Sequence, residues 1–141
     1  MLNKIKIIAV GKIKEKYLQE GAQKYENLIS AFCRLDVIEI KDEGIQKESK
    51  KIENYINGNT FILDSRGTHL TSIEFADFMK KQDNELTFVI GGSDGVTEDV
   101  RKKSRIISLS RMTFLHEMTR LILLEQIYRA FMIINNRKYH K

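Results

Sequence analysis

Five short apolar runs, each separated from the next by a stretch of helical character, constrain this chain more than any other feature of its sequence. The runs cover residues 5–10, 35–40, 60–64, 86–90 and 106–109. They are short and rich in β-branched residues, and they read as buried strands. Between them, residues 15–32 space Tyr17, Leu18, Ala22, Tyr25, Leu28 and Ile29 three and four apart, the pattern of an amphipathic helix. Residues 45–56 read as a weaker helix rich in Lys and Glu, with Gly58 as its stop. Thr71-Ser72-Ile73-Glu74 fits a capping box that opens a helix over 72–81. Thr97 is placed to cap a further helix, with Glu98 and Asp99 at its positive end. Residues 117–135 form the longest helix. Strands separated by helices predict an α/β fold, a mostly parallel sheet flanked by helices.

The 141 residues contain no proline, low-complexity tract, linker or repeat, so the expectation is one domain over 1–141. No apolar run approaches the roughly 18–20 residues of a membrane span. Residues 1–11 lack a signal-peptide apolar region, and the single cysteine, Cys33, excludes an internal disulfide. Cys33 also has no clustered partner for a metal and is expected in the core. These features predict a cytoplasmic protein with no membrane or metal partner.

The last helix adds a constraint. Met118, Leu121, Ile122, Leu123, Leu124, Ile127, Tyr128, Ala130, Phe131, Met132, Ile133 and Ile134 cover nearly its whole circumference. Such a helix needs cover on more than one side, and a second copy is the simplest partner, so a homodimer is expected. The alternative is that the chain's own helices suffice.

Charge is unevenly spread. Residues 1–100 carry 14 Lys+Arg against 17 Asp+Glu, whereas 101–141 carry 10 against 2. A basic block on a near-neutral domain suits a polyanion, nucleic acid first, although a solvated basic surface would look the same.

Ligands of open α/β sheets bind beyond the carboxyl ends of strands. Three segments qualify: residues 63–67, the glycine-rich 90–95 and residues 109–114. The last has little periodicity, which leaves backbone groups free for an adenine edge. No G-x-G-x-x-G follows the first strand, and no phosphate-binding G-x-x-x-x-G-K-[ST] or zinc motif occurs, so dinucleotide, triphosphatase and metal chemistry are set aside.

With those loops in place, FVIGGSDG (88–95), LSRMTFLHEMTRLILLEQIYRAF (109–131), the terminal YHK (139–141) and the opening IIAVGKIKEKY (7–17) resemble the SPOUT methyltransferases that modify N3 of a pseudouridine in large-subunit (23S) ribosomal RNA. The resemblance spans nearly the whole chain. It implies a C-terminal deep trefoil knot and S-adenosyl-L-methionine as cofactor. By matching position it implies cofactor contacts from Leu63, Gly91, Leu109, Ser110, Arg111, Met112, Thr113 and Phe114. It further implies a homodimer packed through the knot helices, acting on ribosomal RNA in the ribosome. The stretch 41–51 is shorter than in many members, and the loop 65–70 is not their commonest version.

Transfer to a ring N3 requires the nucleophile to shed a proton, so a base or donors that stabilise the deprotonated ring are expected. His140, beside Tyr139, is the candidate on the strength of the resemblance. Chain ends are otherwise usually loose. His116 is expected to position the cofactor loop or cap the last helix. Glu125 and Arg129, four apart on an apolar helix, predict a buried or interface ion pair. Arg120, Arg137, Lys138 and Lys141, with Arg101, Lys102, Lys103 and Arg105, are candidate phosphate contacts. The competing readings are a non-catalytic RNA- or ribosome-binding module of the same fold and a methyltransferase acting on transfer RNA.

Overall fold

The structure is a computed structural model describing all 141 residues, Met1–Lys141. Five strands alternate with five helices: β1 (Leu2–Val10), α1 (Lys16–Ile29), β2 (Arg34–Ile40), α2 (Ile45–Glu53), β3 (Thr60–His69), α3 (Ser72–Lys80), β4 (Asn84–Ile90), α4 (Glu98–Lys102), β5 (Arg105–Ser108) and α5 (His116–Ile134). The strands form one sheet in the order β2-β1-β4-β3-β5, and every pairing is parallel. The expected α/β architecture is the observed one.

Alternation along the central strands divides the core into two layers. Ile5, Ile7 and Ala9 of β1 and Leu86, Phe88 and Ile90 of β4 point into the larger layer with α1, α3 and α5. Ile8, Val10 and Val89 point the other way, onto Ile52 of α2 and Val100 of α4. Within the larger layer, Gly21 of α1 lets Leu121 of α5 approach so closely that an added Cβ would lie 3.1 Å from its Cδ1.

Of the five helix N-termini, only that of α3 is capped by the side chain of its N-cap residue. The capping box at α3 is present: Thr71 Oγ1 accepts from the Glu74 N–H, and the Glu74 carboxylate accepts from the Thr71 N–H. The Thr97 side chain makes no cap on α4; its own N–H donates instead to Ser49 Oγ, 3.0 Å away. Helix α2 ends at Glu53, short of Gly58, with Asn54 as a right-handed C-cap. At the end of α5, Asn136 takes the left-handed conformation (φ 55°). The Arg137 N–H then closes on the Met132 carbonyl at 2.8 Å and that of Asn136 on Ile133 at 3.1 Å, a Schellman turn.

Residues 65–70, expected as a loop, instead continue β3 as far as His69. Leu63 and Thr68 both stand opposite Ile107 of β5, so residues 64–67 are extruded from the ladder. Gly67 permits this, because a Cβ there would lie 2.8 Å from the Ile106 carbonyl carbon. No helix is long and apolar enough to cross a membrane.

Candidate functional site

Strands β4, β3 and β5 are neighbours in the sheet, so the segments leaving their carboxyl ends meet in space. Together they line a cavity of about 650 Å³. Leu63, Gly91, Leu109, Ser110, Met112, Thr113 and Phe114 all face it, and Arg111 does not. The three segments singled out in the sequence thus line one cavity beyond the carboxyl ends of the strands.

The backbone of this site is shaped for close contact. An added Cβ on Gly91 would sit 3.0 Å from the Gly95 carbonyl carbon, so the turn after β4 closes only around glycine. Gly92 is pressed against Val10 and the buried Glu48 carboxylate, which accepts from the N–H groups of Glu43 and Gly44 at 2.9 and 2.8 Å. In the β5–α5 segment, Ser108 Oγ donates to the Ser110 carbonyl, and Ser110 Oγ accepts from the Met112 N–H. The backbone N–H groups of Thr113 and Phe114 bond to no other group of the chain. Free backbone donors beside an apolar wall of Leu63, Leu109 and Phe114 suit a purine edge, so the residues present fit an adenosyl cofactor.

Charge gathers at one rim. The extruded segment of β3 brings Asp64 and Arg66 to the cavity. Asp64 Oδ2 accepts from Arg66 Nη2 and from Arg101 Nη1, each at 2.9 Å. The Arg66 side-chain bond, outweighing the opposing effect of burial and aided by Arg101, holds the Asp64 carboxyl far below the usual carboxylate range. Arg101 is therefore committed to Asp64 rather than free for phosphate. His116 opens α5 without capping it and lines the cavity. It lies on Gly11, which has φ +86° and whose Cβ, if present, would be 3.3 Å from the ring Nε2.

Arg120 is not displayed as a free cation. Its Nη1 donates to Glu39 Oε2 at 2.9 Å, its side chain is 11% exposed, and its buried Nε has no partner. It lines a separate cavity of about 260 Å³ with Lys12, Glu26 and Glu39. Burial pushes the Glu26 carboxyl up; Arg120 opposes that rise and Glu39 adds to it. Arg137 stacks over the Phe32 ring at 5.4 Å, while Lys138 and Lys141 are exposed.

Tyr139 and His140 are tied to the far end of α5. The Schellman turn folds the tail back, so that Tyr139 meets Tyr128 edge to face at 4.9 Å. The expected ion pair is present, with Arg129 Nη2 3.0 Å from Glu125 Oε2. The Tyr139 hydroxyl donates to Glu125 Oε2 at 3.2 Å, and Arg129 Nη1 lies 3.1 Å from His140 Nδ1. Burial first, then the Tyr25 hydroxyl and Glu125, push the Tyr139 phenol well above its ordinary pKa. Arg129 lies ten residues beyond Thr119 of the cavity wall, about 15 Å along the helix axis at its ordinary rise. Neither Tyr139 nor His140 lines the cavity of its own chain. Sequence spacing carried no sign of this separation.

Helix α5 buries Leu123, Leu124, Ile127, Ala130, Phe131 and Met132 within its own chain. Met112 (73% exposed) and Leu115 (61%) are left open at the cavity, and Ile122 is half-buried. The chain's own helices thus bury part of α5 and leave Met118, Leu121, Ile122, Tyr128, Ile133 and Ile134 half-buried.

Known proteins resemble this arrangement. Residues 3–140 match the family described as predicted SPOUT methyltransferase. The chain is 43% identical to the ribosomal RNA large subunit methyltransferase H of Carboxydothermus hydrogenoformans, over 97% of this chain and 99% of that protein. It is 44% identical to the protein of the same name from Thermodesulfovibrio yellowstonii, over 97% and 98%. Among solved structures, a probable methylase family protein from Haemophilus influenzae matches with a TM-score of 0.55 at 12% identity, over 94% of this chain and 66% of that one. The tRNA (m1G37) methyltransferase of Aquifex aeolicus also matches at 0.55, with 16% identity over 90% and 70%. At such identities the structural matches speak for the fold, while the family match and the full-length relatives establish the lineage: this chain belongs to the SPOUT methyltransferase family.

Proposed function

We propose that this methyltransferase uses S-adenosyl-L-methionine to methylate N3 of a pseudouridine in large-subunit (23S) ribosomal RNA, on the assembled ribosome. One observation carries the reading. Three strand-end segments converge on a cavity with free backbone donors, in a chain about 40% identical along its whole length to ribosomal RNA methyltransferases. When bound, the cofactor supplies an electrophilic methyl group on a sulfonium. Leu63, Gly91, Leu109, Ser110, Met112, Thr113 and Phe114 would hold it; exposed Arg111 does not line the cavity and is left for RNA.

The chain's own contribution is alignment of the two reactants. Tyr139 and His140 are assigned to the acceptor ring. Because they stand apart from the cavity of their own chain, the working site combines one protomer's cavity with its partner's tail. Exposed Met112 and Leu115 beside that cavity, with half-buried Ile122, support a homodimer through α5. The family's trefoil knot belongs to the same reading. Arg137, Lys138 and Lys141 supply phosphate contacts around the tail, and Arg120 serves to join α5 to β2.

The test is methyl transfer from labelled cofactor to ribosomes lacking the modification, with the product nucleoside identified by mass spectrometry. The expected result is N3-methylpseudouridine in 23S RNA, absent with Gly91→Arg. Ribosome binding by a folded dimer without transfer would favour a non-catalytic ribosome-binding module, and transfer to transfer RNA alone would redirect the substrate.

A further inference from the structure

We propose that Arg129 fixes the tautomer of His140, so that the ring is presented neutral with its proton on Nε2, as a hydrogen-bond donor and not as the group that takes the acceptor's proton. The tautomer follows from geometry alone. Its consequence for the acceptor rests on the function proposed above.

Arg129 is held firmly before it reaches the histidine. Its Nε donates to both Glu125 oxygens at 3.1 and 3.2 Å, and its Nη2 lies 3.0 Å from Oε2. Its guanidinium carbon stands 4.8 Å from the centre of the Tyr139 ring. Nη1 is left to meet His140 Nδ1 at 3.1 Å. A guanidinium has only donors, so Nδ1 must be the acceptor in this contact. A neutral imidazole with a bare Nδ1 carries its single proton on Nε2. An imidazolium would turn an N–H toward an N–H, and the opposite tautomer would do the same. The remaining polar groups around this contact, Glu125 and the hydroxyls of Tyr139 and Tyr25, are already joined to one another or to Arg129. None of them competes for Nδ1.

A ring held this way has no free lone pair with which to accept a proton. What it offers outward is an Nε2–H, suited to a carbonyl oxygen flanking N3 of a uracil-type ring. When the N3–H bond breaks and the proton passes to solvent water, negative charge spreads onto that oxygen, and the donor then binds it more tightly. Arg129 is a positioning residue in this scheme, acting through His140.

The experiment is nitrogen-15 NMR of the imidazole side chains in the full-length protein, without cofactor or RNA, at about pH 7.5, above the ordinary titration range of histidine. The three histidines are separated by the loss of one signal pair in His140→Gln. The expected spectrum shows an unprotonated, far-downfield Nδ1 and a protonated Nε2 for His140. Combining Glu125→Gln with Arg129→Met removes the guanidinium without orphaning a carboxylate, and it should return His140 to the tautomer mixture of a free histidine. A proton on Nδ1 or on both nitrogens in the wild type would overturn the proposal, as would a folded double variant with an unchanged spectrum. If the double variant does not fold, the wild-type spectrum decides alone. The readout needs no catalysis, so ribosomes that go unmethylated would count against the enzymatic reading and leave the tautomer standing.

Discussion

The Tyr139 hydroxyl bridges two helices, 3.2 Å from Glu125 Oε2 on α5 and 3.3 Å from the Tyr25 hydroxyl on α1. The third-last residue of the chain is thereby built into the fold. Tyr139→Phe keeps the ring packing on Tyr128 and removes the bridge, so it should cost about 0.5–1.5 kcal/mol in chemical denaturation. The sign of the pH effect is fixed by the raised phenol. Its stabilising contribution is complete below the ordinary tyrosine pKa near 10 and is lost as pH rises above it. Wild-type stability should therefore fall more steeply than that of Tyr139→Phe in the alkaline range.

Asn136 should be replaceable by glycine and not by valine. Its left-handed backbone closes the Schellman turn that sends the tail back along α5. Asn136→Gly should stay within about 0.5 kcal/mol of wild type, whereas Asn136→Val should lose about 1–2 kcal/mol through strain at a β-branched residue. Calorimetry should find cofactor binding to Asn136→Val intact while methyl transfer falls at least tenfold.

Gly91 ties the turn after β4 to the wall of the proposed cofactor cavity. Gly91→Ala places a Cβ 3.0 Å from the Gly95 carbonyl carbon and distorts one wall of the cavity. Titration with S-adenosyl-L-methionine should show affinity reduced about tenfold or more, equivalent to at least about 1.4 kcal/mol. Binding unchanged within a factor of two would place the cofactor elsewhere.

Asp64 gives the fold an acid-sensitive joint. Its carboxyl is held low chiefly by the Arg66 side chain, with Arg101 adding to the effect. The resulting stabilisation is present above the ordinary carboxylate pKa near 3.9 and disappears as pH falls through the lower folded value. Asp64→Asn should cost about 1–3 kcal/mol at neutral pH. Below about pH 4 its melting temperature should fall less steeply than that of the wild type.

The parts of the fold governed by short-range rules were legible in the sequence. The α3 capping box, the alternation of strands and helices, and the Glu125–Arg129 pair all depend on residues within a few positions of one another. The segments at 63, 91 and 109–114 could be named, but their meeting depends on β4, β3 and β5 being neighbours, and strand order leaves no local trace. The same limit hid the extrusion of residues 64–67, which is a matter of register between β3 and β5. Thr97 looked like a cap by residue type alone, yet its hydroxyl makes no cap, and its backbone N–H meets Ser49, 48 residues earlier. Arg120 looked like a phosphate ligand because no sequence pattern reveals Glu39 across the fold. The distance between the Tyr139–His140 tail and the cavity was equally hidden, and under the proposed function it makes the expected dimer a mechanistic requirement.

That requirement can be tested by mixing two inactive proteins. Gly91→Arg lacks a usable cavity and keeps its tail; His140→Ala keeps its cavity and lacks the tail histidine. After subunits are exchanged, random pairing makes half of the dimers mixed, each with one intact combination of cavity and partner tail. Methyl transfer to ribosomes should then return to about a quarter of the wild-type rate. If exchange is complete and the mixture stays as inactive as its components, each site is built within a single chain and the account of a shared site is wrong.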